Sequence, residues 1–125
     1  MRKSYDIDGV INLDELGCGI RPSSIDDIII TGRSIEEKPE TIEWLHDQGI
    51  YNIVHFNPIP FDEKSRQSSG IHKGNTLNRL RDAGHIIHIH FEDDEVQIAE
   101  IEKLCPWISI IHVKSDLVEK ENVRR

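Results

Sequence analysis

Asp27-Ile28-Ile29-Ile30-Thr31-Gly32-Arg33-Ser34 decides the fold class, because three consecutive isoleucines end at a small polar turn. A short β-branched run of this kind suits a strand of a sheet covered on both faces. Ser34 then offers a side-chain N-cap to a helical stretch over 35–48, which sets Ile42, Leu45 and Trp44 on one face and stops at Gly49. Strand, polar turn and helix in succession are the unit from which parallel α/β sheets are built.

The same alternation recurs outward from this segment. Apolar runs over 3–7, 51–56, 85–91 and 108–113 predict four further strands. Helical spacing over 75–83 brings Leu77 and Leu80 together ahead of Gly84, and over 95–104 gathers Val96, Ile98, Ala99, Ile101 and Leu104 before Pro106. The resulting order is strand, turn region, strand, helix, strand, helix, strand, helix, strand. It predicts a three-layer Rossmann-like α/β fold with a mainly parallel five-stranded sheet and right-handed crossovers. With 125 residues and no repeat, low-complexity tract or Gly/Ser linker, the expectation is a single domain over 1–125.

Composition narrows the setting. No apolar run approaches the ~20 residues of a membrane span, so no membrane partner is expected. Met1-Arg2-Lys3-Ser4-Tyr5 leads into Asp6 and Asp8 rather than into the apolar core of a signal peptide, which predicts a cytoplasmic protein. Cys18 and Cys105 are far apart and read as reduced thiols. A formal net charge of −8 disfavours general attraction to phosphate backbones, so nucleic acid is an open partner that charge does not favour.

Open α/β sheets bind ligands beyond the carboxyl ends of their strands. Three polar clusters fall there: Asp6 and Asp8 after the first run, Thr31-Gly32-Arg33 after the second, and Glu92-Asp93-Asp94 after the fourth. Asp6 suits a carboxylate nucleophile toward phosphorus, and Asp8 a general acid/base; taken alone, the pair reads equally as turn caps. The acidic trio with Asp6 suits an oxygen-rich magnesium site, or an acidic start to the following helix. Thr31 and the Gly32 amide can donate to phosphoryl oxygens, and Arg33 is either a substrate contact or a solvated charge. Lys73, placed just before the predicted helix, can neutralise nucleophile and phosphate, although a surface lysine is its default reading. His88 and His90, with His85 and His112, raise a zinc site that gives way to buried, hydrogen-bonded histidines, since they lie within strands. His46, His55 and His72 have no ligand spacing.

On these residues the chain resembles the haloacid dehalogenase-like (HAD) superfamily: Asp6-Ile7-Asp8-Gly9-Val10, Thr31-Gly32-Arg33, Lys73 and Glu92-Asp93-Asp94 stand in the order of its four motifs. The resemblance implies a Mg2+-dependent phosphohydrolase, acting on phosphomonoesters through an aspartyl-phosphate on Asp6. Catalysis then falls to Asp6, Asp8, Thr31 and Lys73, substrate binding to Thr31, Gly32, Arg33 and Lys73, and the metal to Asp6, Asp8, Asp93 and Asp94. Asp8 would contribute its main-chain carbonyl to the metal, and Asp93 comes before Asp94 as a ligand. Neither interval used for caps in that superfamily has room for one, which implies a capless member with a bulky or macromolecular phosphorylated substrate, or a homo-oligomer that closes the site. Lys73-Gly74-Asn75-Thr76-Leu77 is similar to the phosphatase domains of polynucleotide kinase-phosphatases and makes a polynucleotide end-phosphatase the narrower alternative. Asn57-Pro58 departs from the arginine common there. A non-enzymatic binding module with the same fold is the competing reading. Residues 11–25 are expected to form a flap from which Asn12, Asp14 or Arg21 contacts substrate.

Overall fold

The structure is a computed structural model that describes residues 1–114; residues 115–125, the end of the expected domain, lie outside the described residues. Five strands, β1 (Lys3–Tyr5), β2 (Ile28–Ser34), β3 (Val54–Asn57), β4 (Ile89–Glu92) and β5 (Ser109–His112), form one sheet. Its order is β3-β2-β1-β4-β5 with every pair parallel, and three helices, α1 (Lys38–Asp47), α2 (Arg66–Asp82) and α3 (Glu95–Leu104), connect the later strands. This is the Rossmann-like α/β arrangement expected from the alternation. No inserted domain interrupts the β1–β2 or β3–β4 interval. No described helix is long and apolar enough to cross a membrane.

The isoleucine triplet does what a strand buried on both sides must do. Ile29 joins Tyr5, Ile7, Leu45 and Ile50 in the core beneath α1, whereas Ile28 and Ile30 join Leu77, Ile87 and Ile101 in the core beneath α2 and α3. Tyr5 stacks on Phe91 across β1 and β4 with ring centroids 4.9 Å apart. Ser34 caps the turn Ile35–Glu37 by accepting from Glu36 N, and Glu37 returns a bond to the Ser34 amide, which launches α1 at the predicted place.

Several elements depart from the sequence expectation: β3 starts at Val54 rather than 51 and β4 at Ile89 rather than 85, so His85 and His88, expected within a strand and buried, precede β4 and are exposed. β2 runs on through Thr31-Gly32-Arg33, and the β2–β3 register shifts between Ile30 and Ser34. α2 begins at Arg66 rather than at 75, capped by Ser65 with Ser68 in a reciprocal capping box. Lys73 therefore lies inside a helix, not ahead of it. The first half of α2 buries Ser69, Gly70, His72, Lys73 and Gly74 instead of an apolar stripe. Small residues there let α3 approach closely: a Cβ on Gly70 would stand 2.9 Å from Gln97 Cα, and one on Gly74 would stand 2.7 Å from Leu104 Cδ1.

The order of the sheet places a switch point between β1 and β4. From β1 the chain winds outward through β2 to β3, and α2 then carries it back to β4 on the other side of β1. Crossovers leaving a shared strand pair in opposite directions open a crevice at the carboxyl ends of those two strands.

Gly70→Ala tests the helix contact that positions Lys73. Alanine is the better helix former, yet its methyl meets backbone, so urea denaturation should show a loss of ~1–3 kcal/mol. Unchanged or increased stability would contradict the packing described.

Candidate active site

Asp6 leaves the end of β1 and Glu92 ends β4, so the switch point sets two carboxylates side by side. Asp6 N still donates to Phe91 O at 3.1 Å, which ties the nucleophile candidate to the sheet. α2 supplies the opposing charge. Lys73 Nζ lies 3.0 Å from Asp6 Oδ1 and 2.7 Å from Glu92 Oε1, and all three side chains are buried. The Ile7 amide donates to the same Asp6 oxygen at 2.8 Å, so two donors fix the carboxylate.

Asp93 completes the group. Ligand atoms of Asp6, Glu92 and Asp93 all lie within 4.8 Å of one another, an arrangement that can hold a cation. Gly9, at φ +87°, is required by this approach: a Cβ there would stand 1.9 Å from Asp93 Oδ2. The donor set is hard oxygen only, which fits magnesium better than a soft metal. Within the group Glu92 is held by Lys73 and His90, and Asp6 by Lys73 and the Ile7 amide.

Charge inside this pocket is finely set. Burial first, and then the Glu92 charge, push the Asp6 carboxyl up to about 7, with Lys73 working against them. Burial disfavours the Lys73 ammonium, but Asp6 and Glu92 outweigh it and raise the pKa above the usual lysine value. Behind Glu92, a buried chain continues through His90 Nε2 at 3.0 Å from Glu92 Oε1 and His90 Nδ1 at 2.7 Å from Ser4 Oγ. Burial, then Lys73, hold His90 down at about 3, so the ring is neutral. A carboxylate only accepts, which assigns the proton to Nε2 and makes Ser4 the donor to Nδ1.

Asp94, predicted as a ligand, is not in this group. Its carboxylate caps α3 through Val96 N at 2.9 Å, accepts from Gln97 Nε2 at 3.1 Å, and is gripped by Arg66 at 2.7 and 2.9 Å. Burial opposes its ionisation, and these donors overcome it to hold the carboxyl below its ordinary value. Helix capping thus takes Asp94, and Glu92 takes the remaining place in the trio.

Asp8 faces the adjoining strand. Arg33 Nη2 reaches Asp8 Oδ1 at 2.7 Å and Arg33 Nε reaches Oδ2 at 3.0 Å, a two-pronged pair, while Arg33 Nη1 donates to Thr41 Oγ1. The Asp8 carboxylate is therefore outside the three-carboxylate group. The buried Thr31 Oγ1 accepts from Arg33 N at 3.0 Å, which leaves its proton available to a ligand. Gly32 O accepts from Lys64 Nζ at 3.1 Å and from Asn57 Nδ2 at 3.4 Å. Asn57 thus ties the end of β3 to β2.

The flap carries its own order. Asn12 bridges Asp8 and Cys18, and its Oδ1 accepts from Asp14 N at 3.0 Å beneath a tip where Asp14 takes φ +55°. Arg21 is elsewhere, donating to Gln48 O at the end of α1. The histidines are dispersed: His88 is exposed, His46 packs on Tyr51, and His112 contacts Asp93 O. Among the described residues none joins a metal-ligand group, and both cysteines are free. Comparison with protein-family models, curated proteins and solved structures gave no match.

The raised Asp6 carboxyl predicts a pH-dependent stability, and cation binding there would shift it. A carboxyl raised from 3.8 to about 7 in the folded state contributes stability below its unfolded value and loses it as pH rises through about 7. His72 and His90, held at about 4 and about 3, run oppositely, because the unfolded chain binds their protons up to ~pH 6.5. Asp6→Asn isolates the term. The stability of wild type relative to Asp6→Asn should fall between about pH 4 and about pH 7 without divalent cation, and millimolar Mg2+ should reverse the fall at about pH 8. Thermal melts that show neither trend would remove Asp6 from the cation site.

Proposed function

We propose that the chain is a Mg2+-dependent HAD-like phosphatase that hydrolyses phosphomonoesters through an aspartyl-phosphate on Asp6, with Asp8 as general acid/base. The observation that carries the reading is the buried Asp6–Lys73–Glu92 clamp beside Asp93, at the switch point of a parallel sheet. Buried carboxylates gathered around one ammonium are costly for stability alone, and their rationale is the handling of a charged reactant.

Each residue then has a defined task. Lys73 and the Ile7 amide hold Asp6 Oδ1, presenting the carboxylate to phosphorus. An Asp6 oxygen bonds to phosphorus as the ester P–O bond breaks, and protonated Asp8 gives its proton to the departing oxygen. Water next attacks the phosphoryl group, Asp8 takes its proton, and the bond from phosphorus to Asp6 breaks to release inorganic phosphate. Thr31 Oγ1, the Gly32 amide and Lys73 stabilise the oxygens that gain charge. For the acid step Asp8 has to leave its pair with Arg33 and take up a proton, which would free the guanidinium for the phosphoryl group. Mg2+ on Asp6, Asp93 and the Asp8 main-chain carbonyl would offset repulsion between nucleophile and phosphate.

Steady-state hydrolysis of an aryl phosphate tests the assignment. Asp6→Asn should lower kcat by ~10³-fold or more, and Asp8→Asn by ~10²–10⁴-fold, with turnover dependent on Mg2+ in wild type. Full activity in Asp6→Asn would contradict the nucleophile. A folded, Mg2+-binding wild type with no turnover across a broad phosphate panel would favour the binding-module reading.

A further inference from the structure

Three 3-10 turns crown the carboxyl ends of β1, β2 and β3, and they share one composition. Each holds one large apolar residue and two acids: Asp14-Glu15-Leu16, Ile35-Glu36-Glu37 and Phe61-Asp62-Glu63. None of their residues is buried, and Leu16, Ile35 and Phe61 are 84%, 46% and 37% exposed.

The second and third turns are joined directly, and the first follows β1 in the loop anchored through Asn12 at Asp8. Phe61 N donates to Glu36 Oε1 at 2.8 Å, while Lys64 Nζ bonds Glu37 at 2.9 Å and lies 5.1 Å from the centre of the Phe61 ring, so the second and third turns are joined. The first turn is the tip of the flap that starts at Asp8, and Asp8 is gripped by Arg33, the residue before the Ser34 cap of the second turn. Basic groups around the opening are already matched: Arg33 with Asp8, Lys64 with Glu37, and Arg66 with Asp94. Lys38, exposed at the start of α1, adjoins the second turn. Of the six turn carboxylates Glu15, Glu36, Asp62 and Glu63 are exposed, while Asp14 and Glu37 are half-buried and Glu37 is paired with Lys64. Exposed acids beside exposed apolar side chains repel a polyanion and attract a chain that is both basic and apolar.

We propose that these turns form a docking surface for a basic, partly apolar polypeptide, and that the substrate is a phosphorylated side chain within such a Lys/Arg-rich segment. The substrate half of this proposal rests on the phosphatase reading. Asp6, Thr31 and Lys73 are buried, which suits a phosphate carried on a side chain while the main chain stays outside.

The full-length protein is assayed with a phosphoserine peptide rich in Lys, Arg and Leu, the same peptide with Asp and Glu in place of Lys and Arg, an end-phosphorylated oligothymidylate, and an aryl phosphate. The basic peptide should exceed the acidic one and the oligonucleotide in kcat/KM by about tenfold or more, as several charge pairs would give. High salt should erode the advantage. Asp62→Lys with Glu63→Lys, and separately Leu16→Ser, should reduce it several-fold while leaving aryl phosphate turnover unchanged. Aryl phosphate turnover with equal use of the two peptides, or preference for the oligonucleotide, would overturn the docking surface and leave the phosphatase reading standing. No turnover of any substrate, together with anisotropy-detected binding of the unphosphorylated basic peptide that Asp62→Lys/Glu63→Lys weakens, would retain the surface and overturn the phosphatase reading.

Discussion

The Lys73 ammonium, enclosed between Asp6 and Glu92, is the constraint on which the rest of the site depends. A charged lysine with no exposed surface is tolerated only with its partners in place, and removing one side of such a pair typically costs ~3–5 kcal/mol. Lys73 therefore fixes the approach of α2 to the ends of β1 and β4. Glu92 is in turn oriented by His90 and His90 by Ser4, so a buried chain of hydrogen bonds runs from the strand interior to the nucleophile candidate. Asp93 lies against Gly9, where any side chain would evict it.

Packing elsewhere serves this placement. α2 reaches the switch point because Gly70 and Gly74 let it lie close on α3, and because Ser65 and Ser68 cap it far ahead of its apolar residues. Arg66, in the first turn of α2, grips Asp94 at the start of α3, joining the two helices at the same end of the sheet. On the other side, Lys64 and Asn57 hold the Gly32 carbonyl while Arg33 spans from Thr41 to Asp8. Thr31, Arg33 and Asp8 are thereby linked in one polar group, and the carboxylates with Lys73 form another.

β2 was legible because Ile28-Ile29-Ile30 suits a strand buried on both faces, and the other strands were read from short runs and their alternation with helical spacing, although β1, Lys3-Ser4-Tyr5, has no β-branched residue. α1 and α3 were legible through apolar spacing and caps. The first half of α2 was not, since Arg66-Gln67-Ser68-Ser69-Gly70-Ile71-His72-Lys73-Gly74 buries polar and glycine residues whose stability comes from pairing and close approach, neither of which hydrophobicity reports. Among the site residues, Asp6, Thr31 and Asp93 were named from their positions at strand ends and Lys73 from its place ahead of the predicted helix, and the structure gathers Asp6, Lys73 and Asp93. Asp94 was lost to helix capping, the alternative already visible in Glu95 and the apolar run that follows. Glu92 could have been preferred from strand parity, because it shares a face of β4 with His90 two residues earlier. Lys64, Arg66 and Ser4 carry no sequence signal; only the fold brings them to their partners.

The most direct measurement is chemical trapping of the phosphorylated enzyme. Wild type mixed with aryl phosphate and Mg2+, quenched rapidly in acid and reduced with borohydride, converts an aspartyl-phosphate to homoserine that peptide mass spectrometry locates. Homoserine at position 6, absent when Mg2+ or substrate is omitted, is the expected result. Steady turnover with homoserine at another aspartate, or with none at any aspartate in a quench shown to trap acyl phosphates, would contradict Asp6 as the nucleophile.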